Sequence, residues 1–284
     1  MSATLRVADF TTNTRLFPNS PPVISVDARQ FPVTVHFNRK TALRGYVEEA
    51  FKKVSKIHQR LPPGGILVFL TGQDEIRQLC RMLSTKFSGD EKSASTALPV
   101  KYSTKDMDLE AEDIDLARYE EDREVETVED ETDDFSASED EFGQEDASCD
   151  SLCGKLHVLP LFSLLPVTEQ LRVFRDPPEG SRLCVIATNV AETSLTIPGI
   201  KYVVDSGRVK ERVYNKQTGV ESFEIGWISK ASAAQRAGRA GRTEAGHCYR
   251  LYSSTVFERD FSQFSEPEIL KFPIEGIPIL EPKF

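Results

Sequence analysis

Gly65-Ile66-Leu67-Val68-Phe69-Leu70 is the stretch that decides the fold. A strand with one wet face alternates apolar and polar side chains. This one offers no polar position, so both of its faces must be covered, as in a parallel sheet with helices above and below. Two later runs repeat the pattern, Arg182-Leu183-Cys184-Val185-Ile186-Ala187 and Lys201-Tyr202-Val203-Val204-Asp205. Shorter strands are expected over residues 23–26, 32–37, 157–162 and 248–252, the third weakened by Pro160. Helical periods lie between them. Residues 42–61 place Tyr46, Ala50, Val54 and Ile57 on one face and stop at Pro62 and Pro63. Further helices are expected over 73–87, 167–174, 231–240 (with Ser229 as N-cap) and 254–260. Strands alternating with helices predict an α/β layer fold with a mostly parallel sheet. Residues 209–214 and 220–225 flank 215–219 and read as a β-hairpin. Residues 1–22 read as loop, and the tail from 271 to 284, with Pro273, Pro278 and Pro282, as irregular.

Charge is unevenly spread over the 284 residues. Residues 90–150 carry 24 Asp/Glu against 5 Lys/Arg, a net of −19 that leaves +9 on the remainder of a chain whose total is −10. The stretch 88–152 is rich in Glu, Asp, Ser and Thr and poor in large apolar side chains. It cannot bury enough surface to offset chain entropy, and it reads as a long disordered acidic insertion. A basic body suits a polyanion, and an acidic arm suits a basic protein partner or competition with that polyanion, or it is a solvated spacer. The cysteines Cys80, Cys149, Cys153, Cys184 and Cys248 have no paired metal-ligand spacing, so free thiols in a reducing compartment and no metal site are expected. No apolar run reaches the ~20 residues of a membrane span, and Met1–Arg6 lacks the pattern of a signal peptide.

The chemistry is carried by Gln235-Arg236-Ala237-Gly238-Arg239-Ala240-Gly241-Arg242. In a continuous helix Gln235, Arg239 and Arg242 would stand at i, i+4 and i+7, one amide and two guanidiniums on one face with small residues between them. Guanidinium suits bidentate phosphate contact at any physiological pH, so the face reads as aimed at a triphosphate. Ligands of open parallel sheets sit beyond the carboxyl ends of the strands. Thr71-Gly72 and Thr188-Asn189 through Thr196 fall there, and short hydroxyl and amide groups suit a nucleic-acid backbone. Taken alone, Thr188 to Thr196 is equally a polar loop with local hydrogen bonds, and Thr71-Gly72 an ordinary strand-end turn.

Together these stretches resemble superfamily 2 helicases, and within them the DEAH-box RNA helicases. Residues 67–76 (LVFLTGQDEI) resemble family motif IV, 187–207 (ATNVAETSLTIPGIKYVVDSG) motif V with its following strand, and 235–242 (QRAGRAGR) motif VI. Ser2-Ala3-Thr4 resembles motif III, which closes the first RecA-like lobe, so residues 1–22 read as the end of that lobe with a linker and 23–270 as the second RecA-like lobe. The resemblance implies ATP with Mg2+, the magnesium ligands and phosphate-cradling loop lying in a first lobe, with C-terminal domains beyond residue 284. It implies Gln235, Arg239 and Arg242 at the γ-phosphate, Ser194 and Thr196 on the nucleotide side of motif V, and Phe174 stacked on the base. It implies Thr71, Gly72, Thr188 and Asn189 on single-stranded RNA, and the hairpin as a strand-parting element. By the residues alone, Phe174 is as readily a core side chain and the hairpin a plain structural one. Pro198 stands where the family often carries a ribose-binding aspartate. Phe31–Phe37 (FPVTVHF) with the acidic insertion resembles the nucleolar helicases of small-ribosomal-subunit assembly, which implies a nuclear, nucleolar protein. A non-catalytic RNA- or protein-binding fragment and a DNA helicase are the rival readings.

Overall fold

The computed structural model describes residues 7–24, 31–87, 154–193, 195–215 and 219–267. Their strands are β1 (Val33–Phe37), β2 (Gly65–Phe69), β3 (Lys155–Leu161), β4 (Ser181–Ala187), β5 (Ile200–Asp205), β6 (Arg208–Asn215), β7 (Val220–Trp227) and β8 (Gly246–Arg250). The helices are α1 (Val7–Thr11), α2 (Tyr46–Arg60), α3 (Gln73–Phe87), α4 (Val167–Gln170), α5 (Val190–Thr193), α6 (Lys230–Ala237) and α7 (Ser254–Asp260), with a 3-10 turn at Leu171–Phe174. Six strands form one sheet in the order β1-β8-β5-β2-β4-β3, and every pairing is parallel. β6 and β7 make a separate antiparallel hairpin, Arg208 facing Trp227 and Asn215 facing Val220.

All five residues of β2 are buried. Ile66 and Val68 point into a core with Ala50, Val54 and Ile57 of α2 and Ile76, Leu79 and Leu83 of α3. Leu67 and Phe69 point the other way, toward Val173, Ala191, Ala237 and Ala240. The absence of polar alternation thus reports two helical layers around a central strand. Pro160 is tolerated because β3 is the outer strand of the sheet, where a missing N–H can face away from the ladder.

Several boundaries differ from the sequence reading. The helix expected from Ala42 starts at Tyr46. Gly45 takes a left-handed φ of 74°, and the carbonyls of Ala42 and Leu43 accept from the Arg208 guanidinium at 3.3 and 3.1 Å instead of joining the helix. At the other end of α2, Arg182 donates to the carbonyls of Ile57 and Leu61, both at 2.8 Å, and to Pro62, so a cation caps the negative end of the helix.

The helix expected to run to Ala240 ends at Ala237. Its last bonds tighten, Arg239 N donating to Arg236 O and Ala240 N to Ala237 O at 3.1 Å. The chain then turns against the segment before β1. Phe31 N donates to Gly241 O and Gly246 N to Pro32 O, each at 3.1 Å, and a Cβ on Gly241 would come within 2.6 Å of Phe31 O. The final strand is Gly246–Arg250 rather than 248–252. Residues 7–11, read as loop, form α1. Val23 and Ile24 belong to no strand, and residues 25 and 26 lie outside the described residues. The acidic stretch 88–152, the tail from 271, Ser2-Ala3-Thr4, Ser194 and the hairpin tip 216–218 also lie outside them. Ser229 does cap α6, accepting from Ser232 N at 3.1 Å.

Burial, with a cation nearby in each case, lowers the pKa of three histidines: His58 beside Arg182, His157 beside Arg172 and His247 beside Lys201. Each imidazole binds a proton less readily folded than unfolded. The stability they contribute is full above the unfolded value of about 6.5 and is lost as pH falls through it toward the folded value. Thermal melts taken from about pH 7.5 down to about pH 5.5 should therefore show Tm constant at first and falling below about pH 6.5, with His58→Gln removing part of the fall.

Candidate functional site

The carboxyl ends of β2, β4 and β5 lie side by side, Phe69 in register with both Ala187 and Asp205. Leu70 N donates to Ala187 O and Ser206 N to Phe69 O, which ties the three strand ends together. Whatever follows these strands is brought to one edge of the sheet: Thr71 and Gly72 after β2, Thr188 and Asn189 after β4, and Asp205 at the end of β5. Helix α6 and the turn after it lie across the same side, packed on β2, β4 and β5 through Ala237 and Ala240.

The best-connected side chain of the site is Arg236, which sequence reasoning passed over in favour of its neighbours. It is 1% exposed. Its Nη1 donates to Asp205 Oδ1 at 2.9 Å and to Arg208 O at 3.2 Å, and its Nε to Glu192 Oε2 at 3.0 Å. Asp205, fully buried, also accepts from Gly207 N at 2.9 Å and from the Tyr252 hydroxyl at 3.1 Å. Glu192 accepts in addition from Ser232 Oγ. Burial acts to lower the Arg236 pKa, but Asp205 and Glu192 outweigh it and the net shift is upward. Burial, then the Asp205 charge, drives the Tyr252 phenol strongly up, so it remains a donor. One signal for this cluster was present: Asp205 ends an apolar strand, and a buried carboxylate needs a cation.

Arg239 and Arg242 lie beyond the end of α6, so the single helical face expected for Gln235, Arg239 and Arg242 does not exist. Arg239 is 8% exposed and donates Nη1 to Leu195 O at 2.8 Å, while its Nε is buried without a hydrogen-bond partner. Burial, then the like charge of Arg242, pushes its pKa down. Both arginines border one narrow gap with Ala191, Leu195 and Thr196, too tight in this structure to hold a water molecule. A nearby like charge and an orphaned donor are both features that an approaching anion would relieve. Gln235, half-buried, lines a different cleft of about 450 Å3 with Asn189, Glu192, Thr193 and Glu211.

Phe174 ends the 3-10 turn with 38% of its surface exposed, and Val173 is the residue that fills the core there. It lines neither the gap nor the cleft. Thr71 is 8% exposed, and both its hydroxyl (2.7 Å) and its amide (3.2 Å) donate to Glu75 Oε2. Thr188 is half-buried, with its amide on Leu161 O, and Asn189 is exposed. Gly72 borders open space, where an added Cβ would meet nothing within 4 Å. Among the described residues no group of three or more His, Cys, Asp or Glu could hold a metal ion, and the carboxylates of Glu192 and Asp205 are taken by Arg236. Magnesium therefore does not fit the residues of this site.

The described residues thus form a parallel sheet with a polar strand-end edge and arginines beyond a short helix laid across it. The helicase conserved C-terminal domain matches residues 133–244. The chain is 57% identical to the "Probable ATP-dependent RNA helicase DHR1" of Saccharomyces cerevisiae, over 98% of this chain and 23% of the yeast protein. It is 52% identical to the "Probable ATP-dependent RNA helicase DHX37" of Homo sapiens, over 98% of this chain and 26% of the human protein. Among solved structures, the Escherichia coli DExH-box NTPase HrpB superposes with a TM-score of 0.60 and 25% identity, over 88% of this chain and 22% of that one. The chain is similar to these ATP-dependent RNA helicases, carries the helicase conserved C-terminal domain over residues 133–244, and shares its RecA-like fold with the solved helicase. It spans about a quarter of the length of these curated relatives.

Arg236→Ala leaves Asp205 buried without its cation. Breaking a buried pair in this way costs about 3–5 kcal/mol. The urea midpoint of the variant should drop accordingly, and Arg236→Lys, which cannot fork between two carboxylates, should recover only part of the loss.

Proposed function

We propose that this lobe works within an ATP-dependent RNA helicase, where it supplies two arginines to the nucleotide and part of the track for the RNA backbone. The observation that carries the reading is the pairing of Arg239 and Arg242 around one narrow gap, with the buried Arg239 Nε left without a partner. Two neighbouring guanidiniums become more comfortable when a polyanion approaches, and most comfortable when charge builds up on it. Arg239, fixed by its bond to Leu195 O, is the better positioned of the two, and Arg242, exposed, is free to adjust. Thr196, beside the two arginines, stands on the nucleotide side, the family resemblance assigns Ser194 to the same side, and Phe174 offers an exposed ring to a base. A ring stack accepts any base, so nucleotide selectivity is expected to be low. Bound ATP would bring its magnesium with ligands from a first lobe.

Thr71, Gly72, Thr188 and Asn189 line the edge that RNA would follow. They are short polar side chains at strand ends, suited to phosphate and sugar rather than to base edges. Gln235 and Asn189 border one cleft, so a residue read as nucleotide-facing and one read as RNA-facing share a wall. The hairpin of β6 and β7 is the strand-parting element in this reading. The acidic stretch, at −19 against a remainder of +9, competes with RNA for the basic body or recruits a basic protein. Residues 31–37 together with that stretch support a place in assembly of the small ribosomal subunit, in the nucleolus.

Arg239→Ala or Arg242→Ala, made in a protein carrying both lobes, should lower RNA-stimulated ATP hydrolysis by ~10³-fold while RNA affinity changes little. Equal hydrolysis by variant and parent would end the arginine-finger reading. Thr188→Val should weaken binding to unrelated single-stranded RNAs by a similar factor, since a backbone contact carries no sequence.

A further inference from the structure

Thr71 does not present bare donors. Its amide and hydroxyl both bond one oxygen of Glu75, and the other Glu75 oxygen accepts from the Tyr46 hydroxyl. The hydroxyls of Tyr46 and Thr71 are themselves 3.3 Å apart. Three donors thus converge on one carboxylate, two oxygens that share a single negative charge. A phosphodiester offers the same pattern in its two non-bridging oxygens. The cluster sits just past the carboxyl end of β2, next to the β4 end that carries Thr188.

Tyr46 is held in place for such a role. It is the first residue of α2, and the Arg208 guanidinium lies 5.1 Å from its ring centre while donating to Ala42 and Leu43. Burial, then the bond to Glu75, pushes its pKa up to about 12, so the phenol keeps its proton at neutral pH and can only give it as a hydrogen bond. Glu75, by contrast, is a half-buried side chain on the first turn of α3 and can rotate away without disturbing the sheet.

We propose that Tyr46 and Thr71 form a phosphate-binding cluster for the RNA backbone, and that Glu75 occupies it until RNA displaces its carboxylate. This rests on the reading of Thr71 as an RNA-backbone residue. It adds Tyr46 as a contact and makes Glu75 a built-in competitor that sets the threshold for RNA entry. Displacement exchanges one anion for another on the same donors, so the net gain is small. RNA whose backbone also reaches Thr188 and Asn189 then holds better than an isolated phosphate.

The test is fluorescence anisotropy of a labelled oligouridine RNA with this chain at low and high salt, with a thermal melt of every variant. Tyr46→Phe and Thr71→Val should each weaken binding about three- to tenfold, the size of one net hydrogen bond. Glu75→Gln should tighten binding by a similar factor, because the amide still accepts from Thr71 but no longer repels phosphate. That gain should fade as salt rises and vanish in the Thr71→Val background. If Thr71→Val weakens binding while Tyr46→Phe and Glu75→Gln leave it unchanged, the cluster is overturned and the Thr71 contact stands. Unchanged affinity for Thr71→Val overturns the cluster as well, and if Thr188→Val is then also silent the RNA track itself fails. Should Tyr46→Phe melt early, Glu75→Gln, which keeps the packing, decides the matter alone.

Discussion

A buried carboxylate at the end of a central strand cannot stay charged without a cation. Asp205 meets that requirement with Arg236, and much of the site's geometry follows from the pair. The guanidinium sits over the strand end, with its Cζ 4.9 Å from the centre of the Phe69 ring, which ties α6 to β5 and β2. Its remaining donors reach Glu192 on α5 and the Arg208 carbonyl at the base of the hairpin. One side chain thereby joins the helix after β4, the end of β5, the start of β6 and the helix that precedes Arg239 and Arg242. Hydrophobic burial holds the three layers together, but it is nondirectional and would tolerate small shifts of α6. The ion-pair network does not, since each bond has a fixed donor direction.

Division of labour among the three arginines of this segment follows from their surroundings. Arg236 is 1% exposed and engages two carboxylates and a backbone carbonyl. Arg239 is buried too but has one orphaned donor, and Arg242 is exposed. The gradient from buried and paired to exposed is produced by the end of α6. Had the helix continued, the turn of 100° per residue would have distributed the three differently.

The central strands were legible in the sequence because Gly65–Phe69 and its two companions have no polar period, and only two-sided burial explains that. The arginine stretch read as phosphate chemistry because it packs guanidiniums among small residues, yet the structure gives one of them, Arg236, to two carboxylates. The end of α6 was misread. Gly238, its C-cap, disfavours continuing the helix, and the turn beyond it is held by the backbone of Phe31, some two hundred residues earlier in the chain. The start of α2 was misplaced for a tertiary reason, a guanidinium from position 208 taking the carbonyls of Ala42 and Leu43. Arg236 was missed because its partners, Asp205 and Glu192, are 31 and 44 residues away and become neighbours only through the parallel sheet. The Glu75 contact to Thr71 lies four residues apart and was the one local feature that the sequence could have offered.

The junction between the segment before β1 and the arginine turn is made almost wholly of main-chain atoms: Phe31 N on Gly241 O, and Gly246 N on Pro32 O. This gives the two sides unequal freedom over evolutionary time. Position 31 contributes an amide and exposes its ring, so its side chain can drift while the bond persists. Position 241 has no such latitude, because any Cβ would strike the Phe31 carbonyl. Sequences that keep this geometry should hold glycine at 241 for want of room, whatever chemistry the flanking arginines perform.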